Sequence, residues 1–149
     1  MARIEIDLII NRPIQEVFPF VSNGENLPRW RATALEVKKS FTGPLGVGSI
    51  FKGRFTFLGR SFEGNLEVIV YEPNRRYATR MVEGPFPLEA YYILDDTKIG
   101  TWFTFIVEGQ PGGFFRLAEP LVVSLATRSF ETDLHHLKEM LEAEALQVT

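Results

Sequence analysis

The sequence predicts an α+β fold: a curved, seven-stranded antiparallel sheet around one long C-terminal helix, with two short helices after strand 1. Three observations carry this. Segments of period-two alternation recur from Ile4 to Glu108, joined by turn residues too few to hold a crossover helix. One proline-led amphipathic stretch, Ile14, Val17, Phe18 and Val21, interrupts them near the start. After Pro111, Gly112 and Gly113 the period lengthens to about 3.6 and holds to near Ala145.

The elements follow in order. Ile4, Ile6 and Leu8 alternate with Glu5 and Asp7, which reads as a strand to Ile10. Pro13 starts a short helix at no hydrogen-bond cost, and Pro19 is expected to end or kink it. Asn23-Gly24 and Leu27-Pro28 bracket a second short helix that reaches Trp30. Ala34 to Phe41 and Ser49 to Phe57 resume the strand pattern, the latter with Phe51, Phe55 and Phe57 on one face. Leu58-Gly59-Arg60 turns the chain into Ser61 to Tyr71, where Gly64, Leu66, Val68 and Val70 alternate with Asn65 and Glu67. Tyr77 to Val82, Leu88 to Leu94 and Thr101 to Glu108 complete seven strands.

The last helix, read from Pro120 to Ala145, spans ~39 Å, enough to cross a whole sheet. Phe130, Leu134, Leu137 and Leu141 form its apolar stripe, and Asp133, His136, Glu139 and Glu142 fall off it. Continued toward the N-terminus, the stripe takes in Pro120, Val123 and Thr127. Leu121 and Leu125 then face away, covered by a loop or by a second subunit in a homodimer.

Length and composition agree with one globular domain over residues 1–149. With 45% hydrophobic and 23% charged residues the chain lies far from the disordered regime. A net charge of -3 from interspersed signs leaves no basic stripe for a phosphate backbone, so nucleic acid is not an expected partner. The absence of cysteine removes disulfides and thiolate chemistry and fits a reducing cytoplasm. No run approaches the ~20 apolar residues that span a bilayer, so stable membrane insertion is not expected. The 13 phenylalanines concentrate in strands, where inward aromatics either fill a core or line a pocket.

The stretches NRPIQEVFPFVSNGENLPRW, GPLGVGSIFKGRF and LEVIVYEPNRRYATR, the step from Gly100-Thr101 into WFTF, and the closing LHHLKEMLE together resemble the SRPBCC superfamily. This is the group of START and birch-pollen-allergen-like helix-grip proteins, and the resemblance is to its polyketide cyclase/dehydrase-like branch. It covers nearly the whole chain and implies a cavity between sheet and helix for a hydrophobic small molecule such as a lipid, polyketide or isoprenoid. The matching stretches position the fold, and none of them is catalytic.

Inward residues expected to line such a cavity are Phe55, Phe57, Leu66, Val68, Met81, Tyr92, Phe103 and Phe105 from the strands, with Val123, Thr127 and Phe130 from the helix. Trp30 either gates its mouth or packs the second short helix onto the sheet. Tyr92 and Thr127 are its polar handles, since a buried hydroxyl needs a partner. Among ionisable residues, Arg80 and Glu89 are the remaining pocket candidates, whereas Glu63 and Glu67 alternate onto the solvated face. His135 and His136 are adjacent, so on a helix they diverge by ~100° and cannot share a metal. No nucleophile elbow, phosphate loop or dinucleotide fingerprint is present. The expected role is therefore that of a carrier or sensor for an apolar molecule, without metal, cofactor or catalytic residue. A cyclase/dehydratase-type enzyme and a protein-interaction module are the alternatives.

Overall fold

The computed structural model describes residues 2–147, without the side chains of Phe114 and of residues 145–147. The chain forms β1 (Ala2–Ile10), α1 (Ile14–Ser22), a 3-10 turn (Gly24–Asn26) and α2 (Leu27–Trp30). Then come β2 (Ala34–Lys39), β3 (Ile50–Phe57), β4 (Arg60–Glu72), β5 (Arg76–Met81), β6 (Leu88–Asp96) and β7 (Thr101–Gly109). A one-turn α3 (Phe114–Leu117) leads into α4 (Glu119–Gln147). The seven strands pair antiparallel throughout, in the order β1-β7-β6-β5-β4-β3-β2, and α4 lies across the sheet as the long helix expected there.

Two bulges give the sheet its curvature. One falls between Ala34 and Glu36, where β2 meets β3. Opposite it a Cβ on Gly53 would overlap the Glu36 carbonyl, so glycine is needed for the close approach. The second bulge, between Val68 and Val70, shifts the alternation of β4 by one residue. Beyond it Tyr71, rather than Val70, packs against the core, with its ring 5.8 Å from Phe18 and 6.5 Å from Tyr77.

Pro19 does not end α1. The helix continues three residues past it, because burial of Val21 and the bond from the Ser22 hydroxyl to the Phe18 carbonyl hold the last turn. On α4 the buried row is Val122, Ala126, Phe130, Leu134, Leu137 and Leu141. Spacings of three and four both continue a stripe, and tertiary packing selects the row through Val122 and Ala126. Val123 and Thr127 are only partly buried, and Pro120 is exposed. Asp133, placed off the stripe by the sequence reading, is buried as well. Leu121 and Leu125 face outward, 62% and 50% exposed.

The C-terminal half of α4 is pinned at its polar edge too. The Asn11 amide donates to Glu142 Oε2 at 2.8 Å, and Lys138 Nζ donates to the Ile9 carbonyl at 2.7 Å. Glu142 is thus a tie to the β1–α1 corner rather than a solvated residue. Burial pushes its carboxyl up, but the Asn11 amide and the Lys138 ammonium outweigh this and hold it below the ordinary glutamate value.

Leu134 and Leu137 have no exposed surface, so truncating either to alanine should cost ~2 to 5 kcal/mol in a urea titration, whereas Leu121→Ala should stay within about 0.5. A loss below ~1 kcal/mol at Leu137 would show that the stripe is not what holds α4 to the sheet.

Candidate functional site

The space between sheet and α4 is solid at one end and hollow at the other. At the end closed by α1 and α2, aromatic rings touch in an unbroken chain. Phe18 contacts Tyr77 at 6.4 Å between centroids, Tyr77 contacts Tyr92 at 5.6 Å, Tyr92 contacts Phe105 at 5.5 Å, and Phe105 contacts Phe130 at 5.2 Å. Trp30 joins this cluster, with its ring 5.9 Å from Tyr92 and 6.4 Å from Phe103. Rings in tilted and edge-to-face contact at these distances pack against one another and fill the space between them.

The hollow end lies where β3 finishes, β4 begins, β5 finishes and β6 begins, under the N-terminal half of α4. A cavity of about 60 Å³ is lined there by Phe55, Phe57, Leu66, Met81, Ala90 and Phe130, among others. It has two neighbours. A mouth of about 300 Å³ lies between the β3–β4 turn and α4, with Leu58, Gly59, Leu125 and Ala126 in its rim. A second apolar space of about 30 Å³ lies toward Ile4, Phe86 and Val122. Phe57 and Phe130 are walls common to all three. The β3–β4 turn beside them carries positive φ at Leu58 (52°) and at Gly59 (80°). That backbone is the one a two-residue hairpin needs, but it is strained for leucine.

Five of the twelve residues singled out from the sequence therefore line the central cavity: Phe55, Phe57, Leu66, Met81 and Phe130. Val123 borders the small space beside it. Trp30, Val68, Tyr92, Phe103 and Phe105 are packed in the solid core. The Thr127 hydroxyl is spent on its own helix, donating to the Val123 carbonyl at 2.7 Å. Arg80 and Glu89 lie outside the cavity lining, in a cross-strand cluster where Arg80 stands 3.6 Å from Glu67 and 3.7 Å from Glu89. Glu89 also accepts the Tyr91 hydroxyl at 2.7 Å, and this bond, with burial and the nearby negative charge, pushes that tyrosine up to about 12.

Sequence reasoning missed Arg31 and Asp133. Arg31 follows Trp30 at the end of α2 and, among the described residues, is the only ionisable one in the cavity wall. Its guanidinium lies over Phe105, Phe130 and Trp30, with Cζ 5.2, 5.7 and 5.9 Å from the ring centroids. One Nη donates to the Tyr92 hydroxyl at 3.4 Å. Asp133, only 3% exposed, accepts the Ala32 amide on Oδ1 at 3.1 Å, which ties the α2–β2 link to α4. Burial raises the carboxyl above its ordinary value, partly offset by that amide and by Arg31 and His136. Tyr92 is raised by burial as well, with Arg31 opposing. The signal for Asp133 was available: it stands three residues after Phe130 and four before Leu137, on the same helical face.

Comparison with known proteins places the chain. The family model for polyketide cyclase / dehydrase and lipid transport proteins matches residues 1–142. The chain belongs to this family. No curated protein matches it. Among solved structures, it is similar to TTHA0849 from Thermus thermophilus, at 17% identity and TM-score 0.78, covering 96% of this chain and 99% of that one. It is also similar to the di-domain ARO/CYC StfQ from the steffimycin biosynthetic pathway, at 11% identity and TM-score 0.77. That match covers 96% of this chain and 51% of StfQ. A third likeness is to Ara h 8.0201, at 12% identity and TM-score 0.71, covering 95% of this chain and 98% of the other. At these identities the likenesses establish the fold. Family and fold together support a hydrophobic ligand-binding or cyclase role. No helix among the described residues is long and apolar enough to cross a membrane.

Asp133 makes a prediction about pH. A raised carboxyl means the folded chain binds more protons than the unfolded one between the ordinary aspartate value and the raised one. Stability should therefore fall as pH rises through that window and level off above it. Urea midpoints of wild type and Asp133→Asn, measured from about pH 3.5 to 8, should diverge in the variant's favour as pH rises. Parallel curves would mean that burial does not raise the Asp133 carboxyl in the folded chain.

Proposed function

We propose that the protein binds an apolar small molecule at the hollow end of the sheet–helix interior, as a carrier or sensor. The observation that supports this most is that three neighbouring, mainly apolar spaces all have Phe57 and Phe130 in their walls. The central cavity of about 60 Å³ admits a few waters, against the roughly 300 to 1,000 Å³ of ligand sites. A guest therefore enters by displacing a wall. Phe57 is the residue placed to move: it is partly exposed, ends β3, and adjoins the strained Leu58 turn. Rotation of its ring joins the mouth to both inner spaces.

Binding is favoured over catalysis by the polarity of the wall. Apart from Arg31, the lining groups are apolar side chains and three threonines, Thr33, Thr56 and Thr79, with no general acid or base among them. Affinity then comes chiefly from apolar area, at ~25 cal/mol per Å² removed from water.

The test is titration with the neutral fluorescent probe N-phenyl-1-naphthylamine. Wild type should bind it at micromolar protein. Ala90→Leu, which grows into the cavity, should weaken binding about tenfold or more, and Phe57→Ala, which removes the shared wall, should tighten it. If neither wild type nor Phe57→Ala binds the probe, the interior is merely a loosely packed core and the reading falls.

A further inference from the structure

We propose that Arg31 reads the polar end of the bound molecule, so that the ligand is an apolar body ending in a carboxylate or a similar planar oxyanion. This rests on the binding site proposed above and adds the chemistry of the ligand's head.

Three buried polar side-chain atoms among the described residues have no hydrogen-bond partner: Trp30 Nε1, Arg31 Nε and Asp133 Oδ2. They are not scattered. Trp30 and Arg31 are neighbours in the chain, and Asp133 accepts the amide of the next residue, Ala32, at 3.1 Å. A buried N–H or carboxylate oxygen without a partner costs ~1 to 3 kcal/mol, more for a charged group, so three together at one corner mark a place that is completed by something else.

Arg31 shows what that is. Among the described residues it forms no ion pair: the eight salt bridges use Arg3, Arg12, Arg29, Arg54, Arg75, Arg80 twice and Lys138. Its Nη1 is taken by Tyr92, at a long 3.4 Å. The edge formed by Nε–H and Nη2–H carries no hydrogen bond. In a guanidinium these two N–H groups are parallel, the fork that a carboxylate accepts with both oxygens. The rings of Phe105, Phe130 and Trp30 hold the cation in place without offering an acceptor to that edge. Asp133 balances charge without occupying it, since its hydrogen bond goes to the Ala32 amide. Arg31 stands in the wall of the central cavity beside Phe55, Leu66, Met81 and Phe130, so an apolar chain filling that space brings its head to the guanidinium. Specificity of this kind exceeds what methylene packing gives, because a ligand without the oxyanion leaves the buried Nε–H unpaired.

The experiment compares two probes that differ only at the head, cis-parinaric acid and its methyl ester, by fluorescence titration at about pH 8 against wild type, Arg31→Met and Arg31→Lys. Wild type should bind the acid at least about tenfold more tightly than the ester. Arg31→Met should keep ester binding and lose the preference, while Arg31→Lys, a point charge without the fork, should keep part of it. Equal affinity of wild type for acid and ester, which requires no variant to fold, overturns the assignment of Arg31 and leaves the binding site standing. A preference for the acid that survives intact in Arg31→Met also overturns it. Failure of wild type to bind either probe overturns both readings.

Discussion

The contact between the apolar row of α4 and the concave face of the sheet sets everything else in this molecule. Seven antiparallel strands curl because two bulges and Gly53 let them, and a curled sheet exposes on its inner side the aromatic and aliphatic residues of β3 to β7. Only one element is long enough to cover that face. Leu134, Leu137 and Leu141 bury there, with Lys138 and Glu142 tying the same half of the helix to the β1–α1 corner. At ~25 cal/mol per Å² a few fully buried leucines outweigh several surface ion pairs, so the apolar row decides where α4 lies and the ion pairs adjust its seating.

That division of labour leaves α4 tight at one end and loose at the other. In its C-terminal half Leu134, Leu137 and Leu141 are buried, while in its N-terminal half Val122 and Ala126 border an unfilled apolar space. Small residues of the sheet and its approach, Ala34, Thr79 and Ala90, line the central cavity, and Val122 and Ala126 line the smaller space beside it. Around it the wall is nearly all apolar, and the mouth is rimmed by Leu58 and Leu125.

Polar chemistry enters through one corner, where the link from α2 to β2 passes under α4. Arg31 and Asp133 lie close enough to influence each other and too far apart to pair. Burying two charges without a direct ion pair costs stability, and what offsets it here is a cage of three rings around the cation and one backbone amide on the carboxylate. A site that keeps such an arrangement holds one cation, with its Nε–H buried and unpaired, inside an otherwise apolar wall.

Most of the fold was legible from residue order because it rests on local periodicity: alternation in the strands, the change of period after Pro111 to Gly113, and the leucine stripe of α4 each depend only on near neighbours in the chain. The approximate set of inward residues followed from the same patterns, and Phe55, Phe57, Leu66, Met81 and Phe130 do meet around one cavity. Period alone did not decide which residues bound a space and which fill it. Tyr92, Phe103 and Phe105 alternate on their strands as Phe55 and Phe57 do, but the rings of Trp30 and Phe18 arrive from other elements and close the gaps between them. Nor did it place Arg31 and Asp133, whose burial comes from a contact between segments far apart in the chain. Local pattern determines which face of each element is apolar, since that is a property of a few consecutive turns or pleats. Where the apolar faces meet without filling space, and which charged group is trapped among them, depends on side-chain volumes supplied by distant segments, and only the assembled tertiary structure decides it.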